Sequence, residues 1–181
     1  MRVLIIDDHA LFRVGLKGLL EQRNIEVVGV AADGTEGIKL AEQLNPDITL
    51  LDLRMPGMNG LEVLSILRKN NQAIPVVMLT TSNEETDLIK SLRSGAQGYL
   101  LKDMEPDELV SALRDIERGE SIVAPDLTGA LARMVQGETT LEDDEGPFSS
   151  LTPREHEILC LLADGQSNKL IARNLGISDG T

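Results

Sequence analysis

The chain has 181 residues, 41% of them hydrophobic, enough for one well-cored domain of ordinary size and a short second module rather than a staple-dependent miniprotein. Its single cysteine, Cys160, excludes an internal disulfide framework or a cysteine metal cluster, and residues 158–162 read as the apolar side of a helix. A formal net charge of −13 argues against a protein that holds nucleic acid non-specifically, because phosphate binding draws on an excess of Lys and Arg.

That charge is uneven: residues 1–117 carry −7, residues 118–150 carry −5 and residues 151–181 only −1, so the acid lies away from the C-terminal module. No apolar run approaches the roughly 20 residues of a membrane span, and the first residues enter a strand pattern without a signal-peptide core. The expectation is a cytoplasmic protein with no membrane partner.

In chain order, five short apolar runs at residues 3–6, 27–31, 48–51, 76–79 and 99–101 alternate with segments of helical spacing such as Leu61, Leu64, Leu67 and Leu109, Leu113, Ile116. Runs without internal alternation suit strands buried on both faces. The alternation predicts an α/β fold, a five-stranded doubly wound parallel sheet of flavodoxin-like type filling residues 1–117. Asp33, Asn59 and Asn83 are N-caps by type, and Pro106 suits a first helical turn.

Residues 118–150 read as a linker with a helix near 126–136 and an acidic tether ending in Gly146-Pro147. A new helical pattern opens at Thr152-Pro153-Arg154-Glu155, where Thr152 is an N-cap, Pro153 takes the first helical position and Glu155 completes a capping box.

Ligands of open parallel sheets bind beyond the carboxyl ends of the strands, where the strand order reverses. The first predicted strand ends on Asp7-Asp8, the third on Asp52, the fourth on Thr80, and Lys102 stands just past the fifth. Three carboxylates at one edge repel unless a cation sits among them, which implies a divalent metal. Carboxylates with a backbone carbonyl and waters suit Mg²⁺, an ion that also takes phosphate oxygens. The cluster therefore fits a phosphoryl group, with Asp52 as nucleophile, Lys102 and Mg²⁺ as positive charge, and the Thr80 hydroxyl as a donor that senses the modification. Any one of these acids alone reads as an ordinary strand-ending loop residue. His9 alone reads as a surface or capping residue, and it is left out of the site.

These residues resemble the receiver domain of two-component response regulators. The match runs through Ile5-Ile6-Asp7-Asp8, Leu50-Leu51-Asp52-Leu53-Arg54-Met55-Pro56-Gly57-Met58-Asn59-Gly60, Thr80 and Tyr99-Leu100-Leu101-Lys102. The resemblance implies that Asp52 accepts phosphate from the phosphohistidine of a sensor histidine kinase. It also implies that Asp8, Asp52 and the Arg54 carbonyl bind Mg²⁺ with Asp7 assisting. Thr80 and Tyr99 become a switch pair whose ring moves inward when the hydroxyl is drawn to the phosphate.

Leu151-Thr152-Pro153-Arg154-Glu155, Gly165, Asn168-Lys169 and Ile171-Ala172-Arg173-Asn174-Leu175-Gly176-Ile177-Ser178 resemble a LuxR-type helix-turn-helix. With the receiver they are similar to the NarL group of response regulators. Residues 152–163 and 167–175 are the expected scaffold helices, and the recognition helix that enters the major groove begins near Ser178. The sequence ends at Thr181. The expectation is that residues 151–181 form an incomplete DNA-binding domain in which Lys169 and Arg173 touch only phosphates. Specific DNA binding and dimerisation on activation then belong to a full-length parent.

The leading expectation is a transcription regulator switched by aspartyl phosphorylation, and not a turnover enzyme. Two others stand beside it: an aspartyl-nucleophile phosphatase using the same Asp, Thr, Lys and Mg²⁺ chemistry, and a receiver acting only by protein contact.

Overall fold

A computed structural model describes residues 1–70 and 74–135. Its elements are β1 (Arg2–Ile6), α1 (Ala10–Gln22), β2 (Glu26–Ala31), α2 (Gly34–Leu44), β3 (Ile48–Leu51), α3 (Gly60–Lys69), β4 (Val76–Thr80), α4 (Glu85–Arg93), β5 (Gly98–Leu101), α5 (Pro106–Glu117), β6 (Ile122–Val123) and α6 (Thr128–Val135), with a 3₁₀ turn at Pro125–Leu127. All strands are parallel, in the order β2-β1-β3-β4-β5-β6. The first five stand in the doubly wound order whose reversal falls between β1 and β3.

Side chains alternate across the pleat, so each strand feeds two cores. Leu4, Ile6, Leu51 and Met78 pack on one face with Val63, Leu64 and Leu67 of α3 and Leu88 of α4. Val3, Ile5, Leu50, Val77 and Leu79 pack on the other with Leu16 and Leu20 of α1 and Leu109, Leu113 and Ile116 of α5. Burial on both sides explains the unbroken apolar runs of β1, β3, β4 and β5. The run in β2 departs from that expectation: as an edge strand hydrogen-bonded only to β1, its residues are half-buried from Val27 to Val30.

Helix starts follow their caps. Asn59 and Glu62 form a capping box at α3, with Asn59 Oδ1 accepting from the Glu62 N–H at 3.0 Å and Glu62 Oε2 accepting from the Asn59 N–H at 2.8 Å. Asp33 Oδ1 accepts from the Glu36 N–H at 2.9 Å, and Pro106 opens α5. The expected Asn83 cap of α4 is displaced by one residue: the N-cap is Glu84, without a side-chain cap bond. Ser82 organises this helix start instead, its Oγ donating to Asp87 Oδ2 at 2.5 Å.

The sheet gains a sixth, two-residue strand that the sequence did not announce. Ile122 and Val123 pair with Gly98 and Tyr99 of β5, while Ala124 and Leu127 enter the core of the first face. The helix expected near 126–136 is observed as the 3₁₀ turn followed by α6, which joins α4 through an Arg133–Glu85 ion pair. Contacts divide the chain after Thr139, and all described residues belong to the first unit. The acidic tether, the helices expected over 152–163 and 167–175, Lys169 and Arg173 lie outside the described residues.

Candidate functional site

The parallel ladder carries one step past the strands and pins the loop residues there. The Asp7 N–H donates to the Ala31 carbonyl at 3.2 Å, the Asp52 N–H to the Ile6 carbonyl at 2.9 Å, and the Lys102 N–H to the Thr80 carbonyl at 2.9 Å. Residues that the sequence separates by dozens of positions therefore share one edge.

At that edge the Lys102 ammonium sits 2.7 Å from Asp52 Oδ2 and 2.8 Å from Asp7 Oδ2. All three side chains are buried. The Phe12 ring of α1 lies beneath the ammonium, its centroid 4.8 Å from Nζ, in cation–π range. Asp8 completes the acid cluster. Asp7, Asp8 and Asp52 face one lysine, leaving two net negative charges, the complement of a divalent cation.

The donor set fits such an ion. Asp8 Oδ1 is buried and makes no hydrogen bond of good geometry among the described residues, although His9 Nδ1 lies 2.8 Å away, and a carboxylate oxygen so placed favours a facing cation. Arg54 follows Asp52 by two residues, its N–H 3.4 Å from Asp52 Oδ1, and its guanidinium points away to Asp87 Oδ2 at 2.7 Å.

Thr80 is fully buried at the end of β4, and its Oγ1 accepts from the Ser82 N–H at 3.2 Å. Tyr99 is also fully buried, with its hydroxyl donating to the Ser82 carbonyl at 3.0 Å. Burial pushes the Tyr99 phenol up to about 12, and Asp87 nearby adds to that shift. Thr80 and Tyr99 thus meet on opposite ends of one residue, Ser82, which in turn grips Asp87 of α4.

Sequence reasoning missed Ser82, whose only local signal is a run of hydroxyl residues after β4. It also set aside His9, and the structure brings that ring into the cluster, with Nδ1 2.8 Å from Asp8 Oδ1, 3.3 Å from Asp7 Oδ1 and 3.7 Å from Asp52 Oδ2. Adjacency to Asp7-Asp8 was the available clue.

A doubly wound sheet with an acid cluster, a lysine and a buried hydroxyl at its switch point defines a receiver-type signalling domain. The chain belongs to the two-component response regulators: residues 3–114 match the response regulator receiver domain, and residues 149–181 match the bacterial regulatory proteins of the luxR family. It is 47% identical over 181 residues to the nitrate/nitrite response regulator protein NarL of Escherichia coli K12, covering 99% of this chain and 82% of that protein. A nitrate/nitrite response regulator homologue of Haemophilus influenzae is 43% identical, with 100% and 84% covered. Among solved structures, a LuxR-family two-component response regulator from Aurantimonas superposes with a TM-score of 0.70 at 32% identity, covering 75% of this chain and 97% of that one. A complex of the response regulator RcsB with DNA gives 0.69 at 27% identity, with 99% and 85% covered. The NarL-like, LuxR-family membership expected from the motifs is thereby shown. No described helix is long and apolar enough to cross a membrane.

Proposed function

We propose that Asp52 is the phosphoacceptor and that its phosphorylation controls the output of the LuxR-family region. The observation that carries this reading is the junction of Asp52 Oδ2 with the Lys102 ammonium, 2.7 Å apart and out of solvent, beside two further carboxylates. The donor is the phosphohistidine of a sensor histidine kinase. An Asp52 carboxylate oxygen bonds to phosphorus as the P–N bond breaks, and the departing imidazole keeps the electron pair. Lys102 holds the carboxylate in place and supplies charge to the phosphoryl oxygens. Asp8, Asp52 and the Arg54 carbonyl would hold Mg²⁺, with Asp7 assisting, and the ion would neutralise charge developing on those oxygens.

Thr80 then exchanges hydrogen-bond partners, its hydroxyl leaving the Ser82 N–H and donating to a phosphoryl oxygen. Because Tyr99 and Asp87 hold the same Ser82, that exchange moves the start of α4. Residues 149–181 carry the output as part of a LuxR-type DNA-binding domain, with Lys169 and Arg173 as phosphate contacts and dimerisation following activation. By likeness to the relatives named for it, the stimulus is nitrate or nitrite.

Incubation with Mg²⁺ and a small phosphodonor, followed by intact mass, tests the reading. Wild type gains one phosphoryl group and Asp52→Asn gains none; equal gain in both removes Asp52 from its role. Stoichiometric gain without continuing phosphate release at the initial rate separates the regulator from a phosphatase.

A further inference from the structure

The acid pocket has a donor that the oxygen set does not need. His9 Nδ1 faces Asp8 Oδ1 at 2.8 Å and Asp7 Oδ1 at 3.3 Å, while Lys102 takes the Oδ2 atoms of Asp7 and Asp52. His9 Nδ1 shares a 3.3 Å hydrogen bond with Asp7 Oδ1, while its closer 2.8 Å approach to Asp8 Oδ1 lacks hydrogen-bonding geometry.

We propose that His9 supplies a nitrogen ligand to the cation held in this pocket, and that it makes the pocket favour nitrogen-accepting first-row ions such as Mn²⁺ and Co²⁺ over Mg²⁺. This rests on the reading of Asp8 and Asp52 as cation ligands.

Three features carry the inference. Ligands at about 2.0–2.1 Å from an octahedral ion are neighbours about 2.9 Å apart, the separation at which His9 Nδ1 and Asp8 Oδ1 stand. The residue's root is fixed: the His9 N–H donates to Asp7 Oδ1 at 2.7 Å, and its carbonyl accepts from the Arg13 N–H at 3.0 Å, so the backbone holds the ring at the cluster. The ring is 62% exposed, so solvent borders much of it and a bound ion could be reached from outside. A neutral imidazole also adds no charge, leaving the two net negative charges that match a divalent ion. Mn²⁺ is at home among oxygen ligands, but first-row ions from Mn²⁺ onward accept an imidazole nitrogen more readily than Mg²⁺, which keeps oxygen ligands and waters.

The test uses the 181-residue chain with Mn²⁺ alone, then Mg²⁺ alone. Its other histidine, His156, provides an internal control. Pulsed EPR of the Mn²⁺ complex should show imidazole ¹⁴N coupling in wild type and in His156→Gln, and none in His9→Gln. The Mn²⁺ dissociation constant should rise about tenfold in His9→Gln while that of Mg²⁺ changes less than about twofold. Nitrogen coupling retained in His9→Gln, or absent from Mn²⁺-bound wild type, overturns the role of His9 alone. Mn²⁺ and Mg²⁺ binding unaltered by Asp8→Asn overturns the cation site itself, and the inference with it.

Discussion

Lys102 Nζ reaches Asp52 Oδ2 at 2.7 Å across 50 residues of sequence, and the same ammonium lies 2.8 Å from Asp7 Oδ2. One cation thereby tethers the ends of β1, β3 and β5 in a space from which water is largely excluded. Removing it would leave three carboxylates facing one another. Lys102→Met is expected to cost on the order of 3 kcal/mol in urea unfolding, with part of that restored by Mg²⁺, and to slow phosphorylation by about 100-fold. Wild-type stability in the absence of Mg²⁺ would contradict the tethering role.

The Phe12 ring sets where that ammonium rests, with its centroid 4.8 Å from Nζ. Phe12→Leu keeps an apolar side chain of similar reach but removes the π face. The expected stability loss is about 1 kcal/mol, accompanied by slower phosphorylation from a small donor. A rate equal to wild type would show that packing alone positions the lysine.

Gly60 lies against the backbone of Asp52. A Cβ added there would stand 2.3 Å from the Asp52 carbonyl oxygen and 2.8 Å from Leu53 Cα, both backbone atoms that cannot move aside cheaply. Gly60→Ala should therefore destabilise by about 3 kcal/mol and reduce phosphorylation, because the shift falls on Asp52 itself. Thermal unfolding and intact mass on the same sample read both effects.

Tyr99 is the only tyrosine in a chain without tryptophan, so phenolate absorbance reports it alone. Burial raises its pKa to about 12, against about 10 in the unfolded chain. The proton is bound more tightly in the fold, so its stabilisation is complete below pH 10 and is lost as pH rises from there through about 12. An absorbance titration should centre near 12 in the native protein and near 10 in denaturant. Coincident midpoints would mean that the phenol is not held inside.

Most of the framework was legible because local signals and tertiary needs agree. The runs of β1, β3, β4 and β5 are apolar on successive residues because helices cover both faces of those strands. Asn59 with Glu62 marks a helix start wherever it stands, and it does so here. The failures have the opposite cause. Ile122 and Val123 are too few to carry a period, and they form a strand because β5 offers an open edge. Asn83 has the residue type of a cap, yet the Ser82–Asp87 bond fixes the start of α4 one residue later. Ser82 and His9 look like loop polarity until their neighbours are known.

By itself the sequence determined which chemistry stands at the strand ends: acids after β1 and β3, a hydroxyl closing β4, a lysine after β5. Those identities are covalent and need no fold to be read. Tertiary structure decided that they meet, since β1 lies beside β3 and β4 lies between β3 and β5 only once the parallel ladders form in register. It also decided that Thr80 and Tyr99 share Ser82, and that His9 turns toward Asp8. Such contacts join residues through space and depend on burial and ladder register, quantities that belong to the folded chain and to no segment of it.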